Sequence, residues 1–190
     1  MIFRLLRLLL SDSNVFAAAV KPKHPARRSP SLRQQPPPSA IDESKNYYQG
    51  YYAPKFPEKY RGDPDDIVFR SSWEKIAFQW CDLNPRVVAW ASEELDIQYF
   101  MKGVPYPRSY FPDLLIYFGR GETMMIEIKP AEQKQNPDYE NRCKWAAARA
   151  YCRDRGWSFR IWDEKTIDTL RPKVKYWYKA SSAELKTRKG

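Results

Sequence analysis

The stretch Tyr110–Lys129, YFPDLLIYFGRGETMMIEIK, decides the fold. Tyr110 to Phe118 is an apolar run with a proline near its start, and Thr123 to Lys129 is a second apolar run. Gly119-Arg120-Gly121-Glu122 between them is a turn signal, so the pair reads as a β-hairpin. Side chains alternate along a strand, which puts Glu127 and Lys129 on one face and turns Ile126 and Ile128 into the core. Pro112-Asp113 opens the first strand, 13 residues lie between Asp113 and Glu127, and the hairpin can set the two acids side by side. Two carboxylates and a lysine on the polar edge of an apolar sheet are awkward to fold unless a cation sits between the acids. Asp113, Glu127 and the Ile128 carbonyl offer the hard oxygen donors that magnesium accepts. Lys129 can orient a water there or lower its pKa through its point charge. The chemistry this suits is hydrolysis of a phosphodiester. Taken alone, an ordinary strand pair with exposed charges explains the same residues.

Upstream of the hairpin, Trp73, Ile76, Ala77 and Trp80 fall on one helical stripe, with Ser71 or Ser72 as cap and Asn84-Pro85 as stop. Glu74 lies in that helix's first turn, where the helix dipole favours a carboxylate. Glu94 to Phe100 alternates and predicts a strand. Downstream, Asn136-Pro137 opens a helix that runs to about Arg155 and closes at Gly156, with Ala146, Ala147, Ala148 and Ala150 suited to packing on a sheet. Trp157 to Trp162 predicts a last strand, and a short helix follows from Asp163 to about Leu170. The order is αβββαβ, an α/β core with a mixed sheet flanked by helices.

The 190 residues fit one domain with appendages: an arm over 1–40, a body over 41–170 and a basic tail over 171–190. Aromatic residues make up 15%, enough large side chains for a core. Each end carries seven basic residues against a single acid, whereas the body holds 21 acids against 19 bases. Basic ends on a near-neutral body favour a polyanion or an acidic protein surface as partner. Met1 to Leu10 reads as a short amphipathic helix that needs a partner for its leucines, and Lys21 to Ala40 as an extended Pro- and Arg-rich linker. No apolar run approaches the roughly 18 residues of a membrane span, so no membrane partner is expected. The lone histidine, His24, lies in the linker, which argues against His-dependent triads and His-metal sites. Cys81, Cys143 and Cys152 have no paired spacing and read as packing residues. Tyr47-Tyr48-Gln49-Gly50-Tyr51-Tyr52 reads as a loop packed on the body, and Asp63, Asp65 and Asp66 as a turn.

These pieces form an ordered signature: Arg70-Ser71-Ser72-Trp73-Glu74, Trp90 with Ser92-Glu93-Glu94, Ile97-x-Tyr99, Arg108-x-Tyr110-x-Pro112-Asp113, and Ile126-Glu127-Ile128-Lys129-Pro130. Over about residues 48–165 the chain resembles the PD-(D/E)xK nuclease superfamily, in the branch shared by Tn7-type transposon end-cleaving endonucleases and tailed-phage head completion nucleases. The segment Tyr51-x-x-Pro54…Pro57-Glu58-Lys59-Tyr60-x-Gly62-Asp63 looks most like the phage group. The resemblance implies a restriction-endonuclease-like core whose acidic, metal-binding site is Glu74, Asp113, Glu127 and Lys129. It implies Mg2+ as cofactor, which Mn2+ can replace, and DNA as substrate, with Arg70 and Arg108 in contact with phosphate. It further implies a place in the virion, at the head-tail neck, with the host cytoplasm as the site of assembly. The extended N-terminal arm would then dock on portal or neck proteins. Two alternatives stand beside it: a structural neck plug with an inactive nuclease fold, and a transposon end-cleaving endonuclease. The 20 residues after Leu170 leave little room for the partner-binding domain of the latter, and the intact Asp113, Glu127 and Lys129 argue against the former.

Overall fold

The computed structural model describes residues 49–187, with side chains described through Ser181. The expected helix at Met1–Leu10, the linker, His24, Tyr47 and Tyr48 lie outside the described residues. The body orders as β1 (Gly50–Tyr51), β2 (Val68–Phe69), α1 (Ser72–Leu83), β3 (Val87–Ala91), β4 (Ile97–Tyr99), β5 (Arg108–Tyr110), β6 (Leu114–Phe118), β7 (Thr123–Ile128), α2 (Ala131–Gln135), α3 (Tyr139–Arg153), β8 (Ser158–Trp162) and α4 (Glu164–Thr187).

A four-stranded sheet in the order β3-β6-β7-β8 forms the centre. Its first three strands are antiparallel and β8 joins β7 in parallel, so the sheet is mixed, as expected. The hairpin closes where the glycines predict it. Phe118 N–H donates to Glu122 O at 2.9 Å, and Gly121 N–H to Phe118 O at 3.0 Å with φ 81°. That left-handed φ suits glycine, which has no Cβ to clash. The parallel β7–β8 pair needs a crossover, which α2 and α3 supply.

Side chains alternate across the sheet and build one core on each face. Leu114, Ile116, Ile126 and Ile128 face α1 and α4 together with Phe78, Trp90 and Ile167. Leu115 and Met125 face the other way, toward Ala148 and Cys152 of α3 and toward Ile97, Tyr99 and Tyr110. Of the four alanines predicted to pack, Ala148 is fully buried and Ala146 is exposed. Ser71 is the cap of α1, its side chain accepting from Glu74 N–H, and Asn84 ends the helix. Gly156 ends α3 with φ 67°, and Trp157 N–H then reaches back to Cys152 O at 2.8 Å.

Three expectations need correction. Val87–Ala91 is a strand of the central sheet, entered only three residues after α1, and it was not predicted. The single strand expected over Tyr110 to Phe118 is two. Arg108–Tyr110 pairs with Ile97–Tyr99 in a separate ribbon, while Leu114–Phe118 joins the central sheet. Pro112, which lacks an N–H to donate to a ladder, sits in the break. The helix expected to stop near Leu170 continues to Thr187 with Pro172 inside it, so the segment read as a tail from 171 onward starts as helix. Val174 is buried in the α1-side core and Trp177 packs against it.

Ahead of α1, a strap over residues 52–56 is held by one buried carboxylate. Asp82, fully buried near the end of α1, accepts from Tyr52 OH at 2.8 Å, Lys55 N–H at 2.6 Å and Phe56 N–H at 2.9 Å. Lys59 Nζ donates to the terminal carbonyls Asp82 O (2.8 Å) and Asn84 O (3.0 Å), where the negative end of the helix dipole attracts a cation.

Candidate active site

The hairpin register pairs Leu114 with Ile126, which sets the preceding Asp113 across from Glu127. Ile128 N–H donates to Asp113 Oδ2 at 2.6 Å and ties the two strands at that level. Glu127, on the same strand face as Met125, is only 3% exposed. Such a carboxylate is tolerable only when its oxygens are partnered. Tyr110 OH donates to Oε2 at 2.6 Å, and Lys129 Nζ sits 3.1 Å from Oε1. Glu127 and Lys129 therefore do share a face, while Ile126 and Ile128 are buried in the opposite core.

The charge balance at this edge is unfavourable for the acids. Burial, then the neighbouring Glu127 charge, push the Asp113 carboxyl well above the usual carboxylate range, against the pull of the Ile128 N–H and Lys129. Burial acts to lower the Lys129 pKa, but Glu127, Asp113 and Glu74 outweigh it and raise it. These acids favour Lys129 as an ammonium, a point charge beside them. The Tyr110 phenol is driven far up by burial and then by Glu127, so it stays protonated as a donor. Among the described residues no three Asp, Glu, His or Cys side chains close into a metal cage. Two neighbouring carboxylates and a backbone carbonyl form an open set of hard oxygens. That suits an ion such as magnesium, which keeps several waters.

Glu74 makes the local contacts its position in the helix predicts. Its Oε1 accepts from Ser71 Oγ at 2.9 Å and its Oε2 from Arg70 N–H at 2.8 Å, a variant of the capping box. Its charge also acts on Asp113 and Lys129, so the N-terminus of α1 lies beside the hairpin. Arg70 belongs to the same cluster: its guanidinium pairs with Glu93 and interacts with Glu74 and Asp113. Arg108 is engaged elsewhere. Its Nη1 is 3.2 Å from Glu140 Oε2 of α3, and its guanidinium lies over the Tyr99 ring. The structure gathers Glu74, Asp113, Glu127, Lys129 and Arg70, and sets Arg108 in an ion pair on the α3 side. The signature contains Tyr110 and Glu93 but gives neither a role. An aromatic at a strand end reads as core, and nothing local in the sequence marks its hydroxyl as a partner for Glu127.

Residues 84–164 match the family described as the TnsA-like endonuclease N-terminal domain. That span holds Arg108, Asp113, Glu127, Ile128 and Lys129 and leaves Glu74 and Arg70 outside. The chain is also 36% identical over 143 residues to the head completion nuclease of Enterobacteria phage T4, an alignment covering 65% of this chain and 95% of the phage protein. The chain belongs to the head completion nuclease family. The transposon-type match is to one domain, whereas the head completion nuclease is matched along nearly its whole length, which favours the phage reading over the transposon one. The mixed sheet flanked by helices, with its acids on a central hairpin, is the restriction-endonuclease-like core that the family implies.

Proposed function

We propose that this member of the head completion nuclease family is a divalent-metal-dependent DNA endonuclease that hydrolyses phosphodiester bonds, with its site at Asp113, Glu127 and Lys129. The observation that carries the reading is the close pairing of Asp113 and Glu127 at the partly buried end of the central hairpin, with Lys129 as the adjacent cation. Asp113, Glu127 and the Ile128 carbonyl would hold Mg2+ or Mn2+, with Glu74 in reach of the ion or of its waters. When bound, such an ion supplies charge to offset the oxyanion that develops on phosphorus and lowers the pKa of water.

The chain's own groups account for the rest. Tyr110 holds Oε2 of Glu127, which fixes the carboxylate and keeps Oε1 toward Lys129. Lys129, kept charged by its acidic neighbours, orients the attacking water and stabilises the developing negative charge. Arg70 lies at the rim, where a guanidinium can take a phosphate through parallel N–H donors. Asp113 receives the Ile128 N–H, which sets the hairpin ends in register across the site.

DNA is the substrate, cut in the course of head completion, and the virion neck is the place of action, reached from the host cytoplasm during assembly. Residues 1–40 dock on portal or neck proteins through their leucines and arginines. The test is nicking of circular and branched DNA with and without Mg2+ by wild type, Asp113→Ala and Lys129→Ala. Metal-dependent cutting by wild type and its loss in both variants is expected. Absence of cutting by a well-folded wild type that still enters particles would overturn the reading in favour of a structural neck protein. Loss of neck binding on deletion of 1–40 tests the docking role, and unchanged assembly rejects it.

A further inference from the structure

Among the described residues Glu93 alone, apart from glycines, has a positive φ, at 52°. A β-carbon in that region crowds the backbone, and such a conformation persists only where its surroundings over-determine it. Contacts of both its backbone and its side chain hold it. Its N–H donates to Pro112 O at 3.2 Å, at the residue before Asp113. Its carboxylate pairs with Arg70 Nη1, and Arg70's own N–H donates to Glu74 Oε2 at 2.8 Å. One residue in the loop between β3 and β4 is therefore tied through its backbone to the start of β6 and through its side chain to the start of α1. Those are the two elements that deliver Asp113 and Glu74. Burial does not demand a glutamate here, because its side chain is 28% exposed. A glycine would adopt the same φ without strain.

We propose that Glu93 is a positioning residue, which holds the Arg70 guanidinium beside Glu74 and Asp113 so that its remaining N–H donors meet a phosphate of the DNA strand being cut. This rests on the nuclease reading above. A guanidinium carries five donors in a fixed fork, so a pair through Nη1 leaves an edge for bidentate contact with phosphate. An arginine without that brace would sample many rotamers and bind phosphate less well. The role of Glu93 is exerted through Arg70, and it touches neither DNA nor metal.

The experiment compares wild type, Glu93→Gln, Glu93→Gly, Arg70→Ala and Arg70→Ala/Glu93→Gln in the full chain. Three readouts apply: plasmid nicking in Mg2+, anisotropy of a fluorescent DNA duplex in EDTA, and thermal unfolding. Glu93→Gln and Glu93→Gly are expected to lower kcat/KM at least tenfold, mainly through KM, and to weaken duplex binding. Glu93→Gly should melt at or above the wild-type temperature, since it relieves the backbone while removing the brace. In the Arg70→Ala background Glu93→Gln should cost nothing further, because the ion pair that it weakens is already absent. The proposal is overturned if either Glu93 variant binds and cuts like wild type. It is equally overturned if activity falls only in step with melting temperature, or if Glu93→Gln keeps its full effect without Arg70. A wild type that neither binds nor cuts DNA would instead remove the nuclease reading on which Glu93's role depends.

Discussion

At the scale of single residues, the site is built against its own stability. Asp113 has a folded-state pKa above the ordinary value near 4, because burial and Glu127 disfavour its charge. Below that ordinary value the carboxyl is protonated in both folded and unfolded chains, and no penalty exists. As pH rises toward the folded value, ionisation costs the folded state progressively more. Asp113→Asn keeps an oxygen for the Ile128 N–H and removes the charge. In EDTA at pH 7 it should therefore melt about 2–4 °C above wild type, the equivalent of about 1 kcal/mol. The gain should vanish below about pH 4, and cleavage should be abolished; calorimetry across pH beside the nicking assay checks both. Tyr110→Phe should act in the opposite sense on stability. It strips a donor from Glu127 and leaves a buried carboxylate oxygen unpaired, at about 1–3 kcal/mol in urea unfolding. The acids and the lysine of this site were legible because a strand's alternation fixes their faces. The Tyr110 contact was not, since it joins β7 to β5, a strand that Pro112 cuts off from the hairpin.

At the scale of elements, capping and connection length decided what could be read. The hairpin, both ends of α1 and the glycine stop of α3 follow from local chemistry and stand where the sequence predicts them. β3 escaped notice because Asn84–Arg86 leave almost no loop between a helix stop and a strand. The length of α4 escaped because Pro172 and the many Lys and Arg after 170 read as a basic tail. Yet Ile167, Leu170, Val174 and Trp177 form a helical stripe on the core side. The start of α4 also carries a pH-dependent stabilisation. Asp163 Oδ1 accepts from Thr166 N–H at 3.0 Å, and Oδ2 pairs with Lys134 Nζ at 2.7 Å. The Lys134 pair first, then the Thr166 N–H, hold its carboxyl well below the usual range. A depressed pKa means that the stabilisation is complete above the ordinary value near 4 and is lost as pH falls toward the folded value. Asp163→Asn should cost about 1 kcal/mol at pH 7. The difference from wild type should shrink steadily between about pH 4 and pH 2 in thermal melts.

At the scale of the whole molecule, the two cores back one sheet, and the site occupies the level where the central hairpin, the ribbon of β4 and β5, and the start of α1 meet. No helix among the described residues is long and apolar enough to cross a membrane. The strap ahead of α1 depends on Asp82 alone for three donors. Asp82→Ala would leave two backbone N–H groups and the Tyr52 hydroxyl unpartnered, each at about 1–3 kcal/mol where water cannot reach. Denaturant unfolding should register a loss near the upper end of that range, and proteolysis within residues 52–56 should speed up. Asp82→Asn, which keeps an acceptor, should recover part of the loss.

The same anchor has a mechanical consequence. A pull on residues 1–48 enters the folded body at β1, which is paired with β2, and then at the strap, where Tyr52, Lys55 and Phe56 pass load to Asp82 and so into α1. Asp82 lies roughly 12 Å along that helix from Glu74, at 1.5 Å per residue. The hairpin bearing Asp113, Glu127 and Lys129 is off this line of force. Tension on the N-terminal arm is thus shared by the β1–β2 pair and by one carboxylate at the far end of a helix, and neither lies on the hairpin that carries the acids.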